Sequence, residues 1–217
     1  MSFLESIAVG IELTHPTRIE DRLGNLKLVG LSRDQCMPAY VAMLRGINVS
    51  GHKPIKMEDL RALCGDLGFW DVETYVQSGN IVLQSALENP NIIAKRIGTK
   101  IIESFGFEVP VIVRTSKEMR NVISNNPFLK ENGIDSSKLH VTFLSEIVQK
   151  TSLQELAELS TSPDRFHPAP REIYVYCQIG YGRTKLSNVG IEKALSVTAT
   201  TRNWKTTNKL LEMVSKL

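Results

Sequence analysis

The residues from Arg45 to Lys56, RGINVSGHKPIK, place an arginine, two glycines, an asparagine, a histidine and two lysines between an apolar run and an amphipathic one. Such a set suits an oxyanion: guanidinium and ammonium groups supply charge and donors, and glycines let backbone amides approach closely. Gly46 and Gly51 have the separation of a P-loop, but His52 stands where that motif needs lysine, and no serine or threonine follows Lys53. Pro54 removes a further amide. The motif fails where magnesium and the β,γ-phosphates would be held, which argues against nucleotide hydrolysis. The competing reading is a basic solvated loop with turn-forming glycines.

A second group lies further along the chain. GYGRTK, residues 180–185, carries Arg183 and Lys185, and TTRNWK, residues 200–205, carries Arg202, Asn203, Trp204 and Lys205. These groups could grip phosphate or carboxylate, with Trp204 supplying a flat apolar or cation–π surface. The alternative makes Trp204 a staple for the terminal helix, with Arg202 stacked on it. Conventional catalysis lacks parts: His15, His52, His140 and His167 are scattered, and no HExxH, Cys/His spacing, nucleophile elbow or paired-carboxylate motif appears. No metal site is expected, no cofactor is assigned, and His140, at the start of a strand, reads as structural. Cys36, Cys64 and Cys177 are too widely separated for a disulfide framework or a zinc site, which suits a reducing cytoplasm.

The elements that must hold these groups are legible from Tyr40 onward. YVAMLR reads as a strand, KMEDLRALCGDLG as a helix, VETYVQ and NIVLQS as strands across an SG turn, PNIIAKRIGTKIIESFG as a helix and VPVIVR as a strand. Met57, Leu60, Leu63, Cys64 and Leu67 fall on one 3.6-period stripe, so Cys64 is expected in the core. After a helical SKEMRNVISNN the pattern repeats: strand LHVTFL, helix SLQELAELS, strands DRFHPA and EIYVYCQ, helix TKLSNVGIEKAL, extended TATTRN and a closing helix WKTTNKLLEMVSKL. The expected fold is α+β: two tandem ferredoxin-like (βαββαβ) modules packed together, with an extra C-terminal helix. YVAML against HVTFL is the only sequence echo between them. YVAML, VPVIV and HVTFL are nearly continuous apolar runs, so both faces of each sheet should be covered.

In a βαββαβ unit the first two strands run parallel, so the end of YVAMLR, the start of the next helix and the QSGN turn share one end of the sheet. Arg45, Asn48, Lys53, Lys56, Gln77, Ser78 and Asn80 should therefore converge. Arg45 is the strongest ligand candidate, since the strand end aims its fork; otherwise it clamps the QSGN turn. Arg183, Lys185, Arg202, Asn203 and Trp204 should meet at the other end of the second module. Tyr174 and Tyr176 share a strand face and would be the platform if the protein stacked RNA bases, although no RNP-type string accompanies them.

Length and composition set outer bounds: 217 residues, 42% hydrophobic and 23% charged, describe an ordinary globular chain with room for one or two domains. A formal charge of +3 is too weak to demand nucleic acid. No apolar run approaches a bilayer span, and MSFLESIAVGIEL has Glu5 where a secretory signal needs positive charge, so neither membrane nor export is expected. Without export, NVS at 48–50 is an inert glycosylation triplet. The expected division is a poorly structured leader at 1–36, modules at 37–115 and 137–217, and a linker helix and turn at 116–136. MPAYVAMLRG would itself make a protein start at Met37, so part of the leader reads as an over-long gene.

YVAMLRGINVSGHKPIKMEDLRAL, TYVQSGNIVLQS, VPVIVR, NPF, LHVTFLSE, GRTKL and ATTRNWKTTNKLLEM, in that order from Tyr40 to Met213, resemble the microbial family called domain of unknown function 1697. The family usually has Gly where Ser50 stands, Phe near Leu83, Ser at Thr184 and Val at Thr207. The resemblance implies a two-part α+β fold and assigns no biochemical role. The expected function is binding of a small anionic ligand, phosphorylated or nucleotide-like, at the basic loops. The alternatives are an enzyme acting on a phosphorylated small molecule, or a protein-interaction or RNA-binding module. Oligomeric state stays open.

Overall fold

The structure is a computed structural model that describes residues 17–20, 26–29, 37–148, 153–160 and 163–217. Thr17–Glu20 (β1) and Leu26–Val29 (β2) pair antiparallel and belong to a unit, 1–37, separate from that of 38–217. Most of the expected leader, with His15 and Cys36, lies outside the described residues.

From Pro38 onward the fold is mixed α+β, with two four-stranded antiparallel sheets and six α-helices among the described residues. The first half runs Ala39–Leu44 (β3), Met57–Asp66 (α1), Trp70–Tyr75 (β4), Asn80–Gln84 (β5), Pro90–Phe105 (α2) and Val111–Thr115 (β6). Ser116–Ser124 (α3) leads out of it. The second half runs Leu139–Leu144 (β7), Leu153–Leu159 (α4), Arg165–Pro168 (β8), Glu172–Tyr176 (β9), Asn188–Leu195 (α5) and Ala199–Asn203 (β10), and Trp204–Val214 (α6) follows at once. Strand order is β4-β5-β3-β6 in one sheet and β10-β7-β9-β8 in the other. Numbered within each half, both orders read second, third, first, fourth.

Local chemistry explains the boundaries. Asn89 accepts the Asn91 N–H ahead of Pro90 to open α2, and Gly106 ends it in the left-handed conformation. Thr115 and Glu118 form a capping box at α3, and Asn203 accepts the Thr206 N–H to open α6. α5 begins at Asn188 rather than at the expected Thr184. The Thr184 hydroxyl takes the Leu186 N–H, and Ser187 caps the helix through the Gly190 N–H, so 184–187 forms a turn. β4 carries an irregularity between Trp70 and Glu73, with Asp71 left-handed.

Alternation along the strands sends side chains to three apolar clusters. Tyr40, Ala42, Leu44, Ile81 and Leu83 meet Leu60, Leu63 and Cys64 of α1 and Ile93, Ile97 and Ile101 of α2. Leu144, Ile173 and Val175 meet Leu156, Ile191 and Leu195 of α4 and α5. The remaining faces share one middle cluster: Val41, Met43, Val82 and Ile112 from one sheet, Val141, Phe143, Tyr174 and Tyr176 from the other, closed by Met119, Val122, Trp204, Leu210 and Val214. Full burial of each Leu, Ile or Val is worth about 1.5–3 kcal/mol, so the middle cluster binds the halves into one body. The Cys64 and Cys177 thiols are buried, and burial pushes both up to about 12. Among the described residues no helix is long and apolar enough to cross a membrane.

Candidate functional site

Arg45 follows β3, and its own N–H is held by the Pro110 carbonyl at 2.9 Å. Beyond it the backbone enters the left-handed region at Gly46, Asn48, Ser50, Gly51 and Lys53. Asn48 stabilises this course: its Nδ2 donates to the carbonyls of Ile55 and Gln77 at 2.9 and 2.8 Å, and its Oδ1 accepts the Ile55 N–H. Lys53 Nζ donates to the Glu108 carbonyl at 2.6 Å. The 76–79 turn is left-handed at Val76 and Gly79. A Cβ at Gly79 would lie 2.7 Å from Leu44 Cβ and 2.8 Å from Ile47 Cδ1, so the turn can press against the strand end only as glycine.

Arg202 reaches this place from β10. Its Nε donates to Asn80 Oδ1, its Nη2 to the carbonyls of Leu44 and Ser78 at 2.8 and 3.2 Å, and its Nη1 to Thr200 Oγ1 and the Thr201 carbonyl at 2.8 and 3.0 Å. All five donors of a buried guanidinium are satisfied, none by a carboxylate. Burial brings its pKa down to about 10; Tyr181 opposes that shift and Arg45 adds to it. Arg45 turns instead to α5, donating from Nε and Nη2 to the two carboxylate oxygens of Glu192 at 3.2 and 2.9 Å. The Ala199 N–H donates to the same carboxylate at 3.0 Å.

A second arginine mirrors the first. Arg114 is the fourth residue of β6, as Arg202 is of β10. Arg114 Nη2 donates to the carbonyl of Leu144, the last residue of β7, at 2.7 Å; Leu44, which Arg202 holds, is the last residue of β3. Arg114 Nε donates to Glu172, the first residue of β9, at 3.1 Å, where Arg202 holds Asn80, the first residue of β5. Each half thus clasps the end of the other's first strand with an arginine from its own last strand. The charges differ. Around Arg114 stand the pairs Arg114–Glu172 and Arg171–Glu118, two cations with two carboxylates. Around Arg202, among the described residues, stand Arg45–Glu192 and Arg202–Asn80, two cations with one carboxylate.

The structure brings Arg45, Ser78, Asn80 and Arg202 together, although the sequence placed Arg202 in a separate group. Asn48 and Gln77 brace the loop through the amide-to-carbonyl bond. Lys56 is exposed and precedes α1, while Arg183 and Lys185 are exposed beside Tyr181. Asn203 caps α6 and Trp204 is 9% exposed in the middle cluster. Neither alternative role forms: Arg45 pairs with Glu192 rather than the QSGN turn, and Arg202 is held by Leu44, Ser78 and Asn80 of the first half and by Thr200 and Thr201 of its own strand. Tyr174 and Tyr176 are buried, Tyr174 donating to the Val122 carbonyl at 3.0 Å and Tyr176 lying under Arg165, so neither ring is open to a base. His140 stacks on Tyr181 with centroids 4.8 Å apart, and burial lowers its pKa.

Arg114, Glu172, Glu192 and Tyr181 escaped sequence reasoning. For Arg114 alone a signal existed, an echo overlooked beside YVAML and HVTFL: VIVRT against ATTRN, each with arginine at its fourth position.

The family model described as "Protein of unknown function (DUF1697)" matches residues 37–174. A search of curated proteins finds no match. Among solved structures, a conserved bacterial protein from Streptococcus pneumoniae is similar, with 21% identity, a TM-score of 0.66, and coverage of 82% of this chain and 99% of that one. That likeness extends to the fold. With more than half its length matched by the family model, the chain belongs to the DUF1697 family of proteins of unknown function.

Proposed function

We propose that the protein binds a small oxyanion-bearing ligand, phosphorylated or nucleotide-like, at the end of β3 where the two halves meet. The supporting observation is the unequal charge of the two clasps: Glu172 neutralises Arg114, whereas the equivalent Asn80 leaves Arg202 buried beside Arg45 with one carboxylate between them. An unbalanced buried cation is costly, and a bound anion would relieve that cost. The basic loop adds to the reading. Three non-glycine residues in it, Asn48, Ser50 and Lys53, are left-handed, a strain that gathers at ligand sites. Lys53 and Lys56 would steer charge toward Arg45. The second-third-first-fourth strand order of both sheets supports reading 37–115 and 137–217 as ferredoxin-like modules joined through 116–136, and the buried free thiols suit a cytoplasmic setting.

A thermal-shift screen at low salt against inorganic phosphate, sugar phosphates, nucleotides and short RNA tests this reading. A ligand at 100 times its dissociation constant adds about 2.7 kcal/mol to stability. The reading expects stabilisation by one phosphorylated class, diminished by added salt. Unchanged melting with every phosphate would sink it.

A further inference from the structure

Glu192 occupies a cradle that would serve an external anion. Three donors meet on its carboxylate: Arg45 Nε and Nη2, at 3.2 and 2.9 Å, and the Ala199 N–H at 3.0 Å. Arg45 and Glu192 are 23% and 27% exposed, so the pair can be reached from solvent, and Val189, one turn earlier on α5, is 68% exposed. The Arg202 guanidinium lies close enough for Arg45 to lower its pKa, and among the described residues it has no carboxylate partner. The single carboxylate of the cluster, Glu192, is thus engaged by Arg45 and leaves Arg202 without a charged partner among the described residues.

Resting on the anion-binding reading above, we propose that Glu192 is an internal stand-in for the ligand, and that a phosphate monoester group displaces it from the Arg45–Ala199 cradle. A phosphate carries about −1.5 to −2 at neutral pH. It would replace the single charge of Glu192 and supply the one that Asn80 does not. A monocarboxylate only repeats what Glu192 already gives, so the cradle selects phosphate over carboxylate. Released from Arg45, the partly exposed Glu192 would turn outward to water on the side of α5 that carries the exposed Val189.

The test is calorimetric titration of wild type, Glu192→Gln and Glu192→Ala with inorganic phosphate and, separately, with acetate. Gln keeps an oxygen to accept the Ala199 N–H and removes the competing charge, so it guards against a folding defect in the alanine variant. The Arg45–Glu192 pair is partly exposed, and ion pairs of that kind set the scale: phosphate should bind about two- to fivefold more tightly to Glu192→Gln than to wild type, with acetate weaker throughout. Equal or weaker phosphate binding by a folded Glu192→Gln, with clear binding by wild type, would overturn the displacement and leave the anion site standing. Phosphate binding by neither would overturn both. Acetate binding as tightly as phosphate would overturn the selection for a dianion.

Discussion

Replacing Glu172 by glutamine turns the neutral clasp into a copy of the charged one. Arg114 is fully buried and Glu172 is 14% exposed, so water screens their interaction little. The amide oxygen of glutamine can still accept from Arg114 Nε, and the carbonyls of Leu144 and Arg171 keep Nη2 satisfied. What is lost is the difference between a charged and a neutral hydrogen bond, about 1–2 kcal/mol. Glu172→Ala also leaves Nε without its acceptor, which for a broken buried pair costs about 3–5 kcal/mol. In a chain of this size 1 kcal/mol moves the melting temperature by about 2–4 °C. Denaturant unfolding should thus rank wild type above Glu172→Gln and that above Glu172→Ala, with unchanged slopes. Glutamine as harmless as wild type, or as damaging as alanine, would refute the description of this clasp as a buried, charge-compensated pair.

Gly79→Ala should destabilise by about 3 kcal/mol or more, because its Cβ meets Leu44 and Ile47 in a left-handed backbone; Gly51→Ala, also left-handed but with nothing within 4 Å, should cost about 1–2 kcal/mol. Equal unfolding midpoints for the two variants would count against the tight turn. The buried thiols predict an alkaline limit. Cys64 and Cys177 are raised from 9.0 to about 12, so the fold holds their protons; this stability is fully present below about pH 9 and is lost as pH rises toward 12. In a Cys36→Ser variant, which leaves only these two thiols, titration with a disulfide reagent should be silent in native protein at about pH 8 and complete after unfolding, and rapid native labelling of both would contradict their burial.

Periodicity exposed the elements because burial on one face leaves a mark within each segment. Leu60, Leu63 and Cys64 stood on a visible stripe and pack as that stripe requires. The gathering of Arg45, Ser78 and Asn80 was also legible, since parallel first and second strands bring their ends together. The reach of Arg202 into the other half was not. Its partners Leu44, Ser78 and Asn80 lie 158, 124 and 122 residues away, and no spacing rule within an element speaks to that distance. Arg114 was hidden for a related reason: in VPVIVR it reads as the polar end of a strand, and only the packed halves show it buried. Trp204 was ambiguous between ring platform and staple because both uses place an aromatic at a helix start; the middle cluster encloses it.

The charge imbalance at Arg202 meets its most direct test in Asn80→Asp, titrated with inorganic phosphate beside wild type. The new carboxylate gives Arg202 the partner that Glu172 gives Arg114, at the loss of two donations from Asn80 Nδ2, to the Tyr75 carbonyl and Ser78 Oγ at 3.0 Å each. A charged hydrogen bond gained against two neutral ones lost leaves stability within about 2 kcal/mol of wild type. The expected outcome is a folded variant whose phosphate affinity falls about tenfold, the equivalent of 1.4 kcal/mol. A folded Asn80→Asp that binds phosphate as tightly as wild type would contradict it.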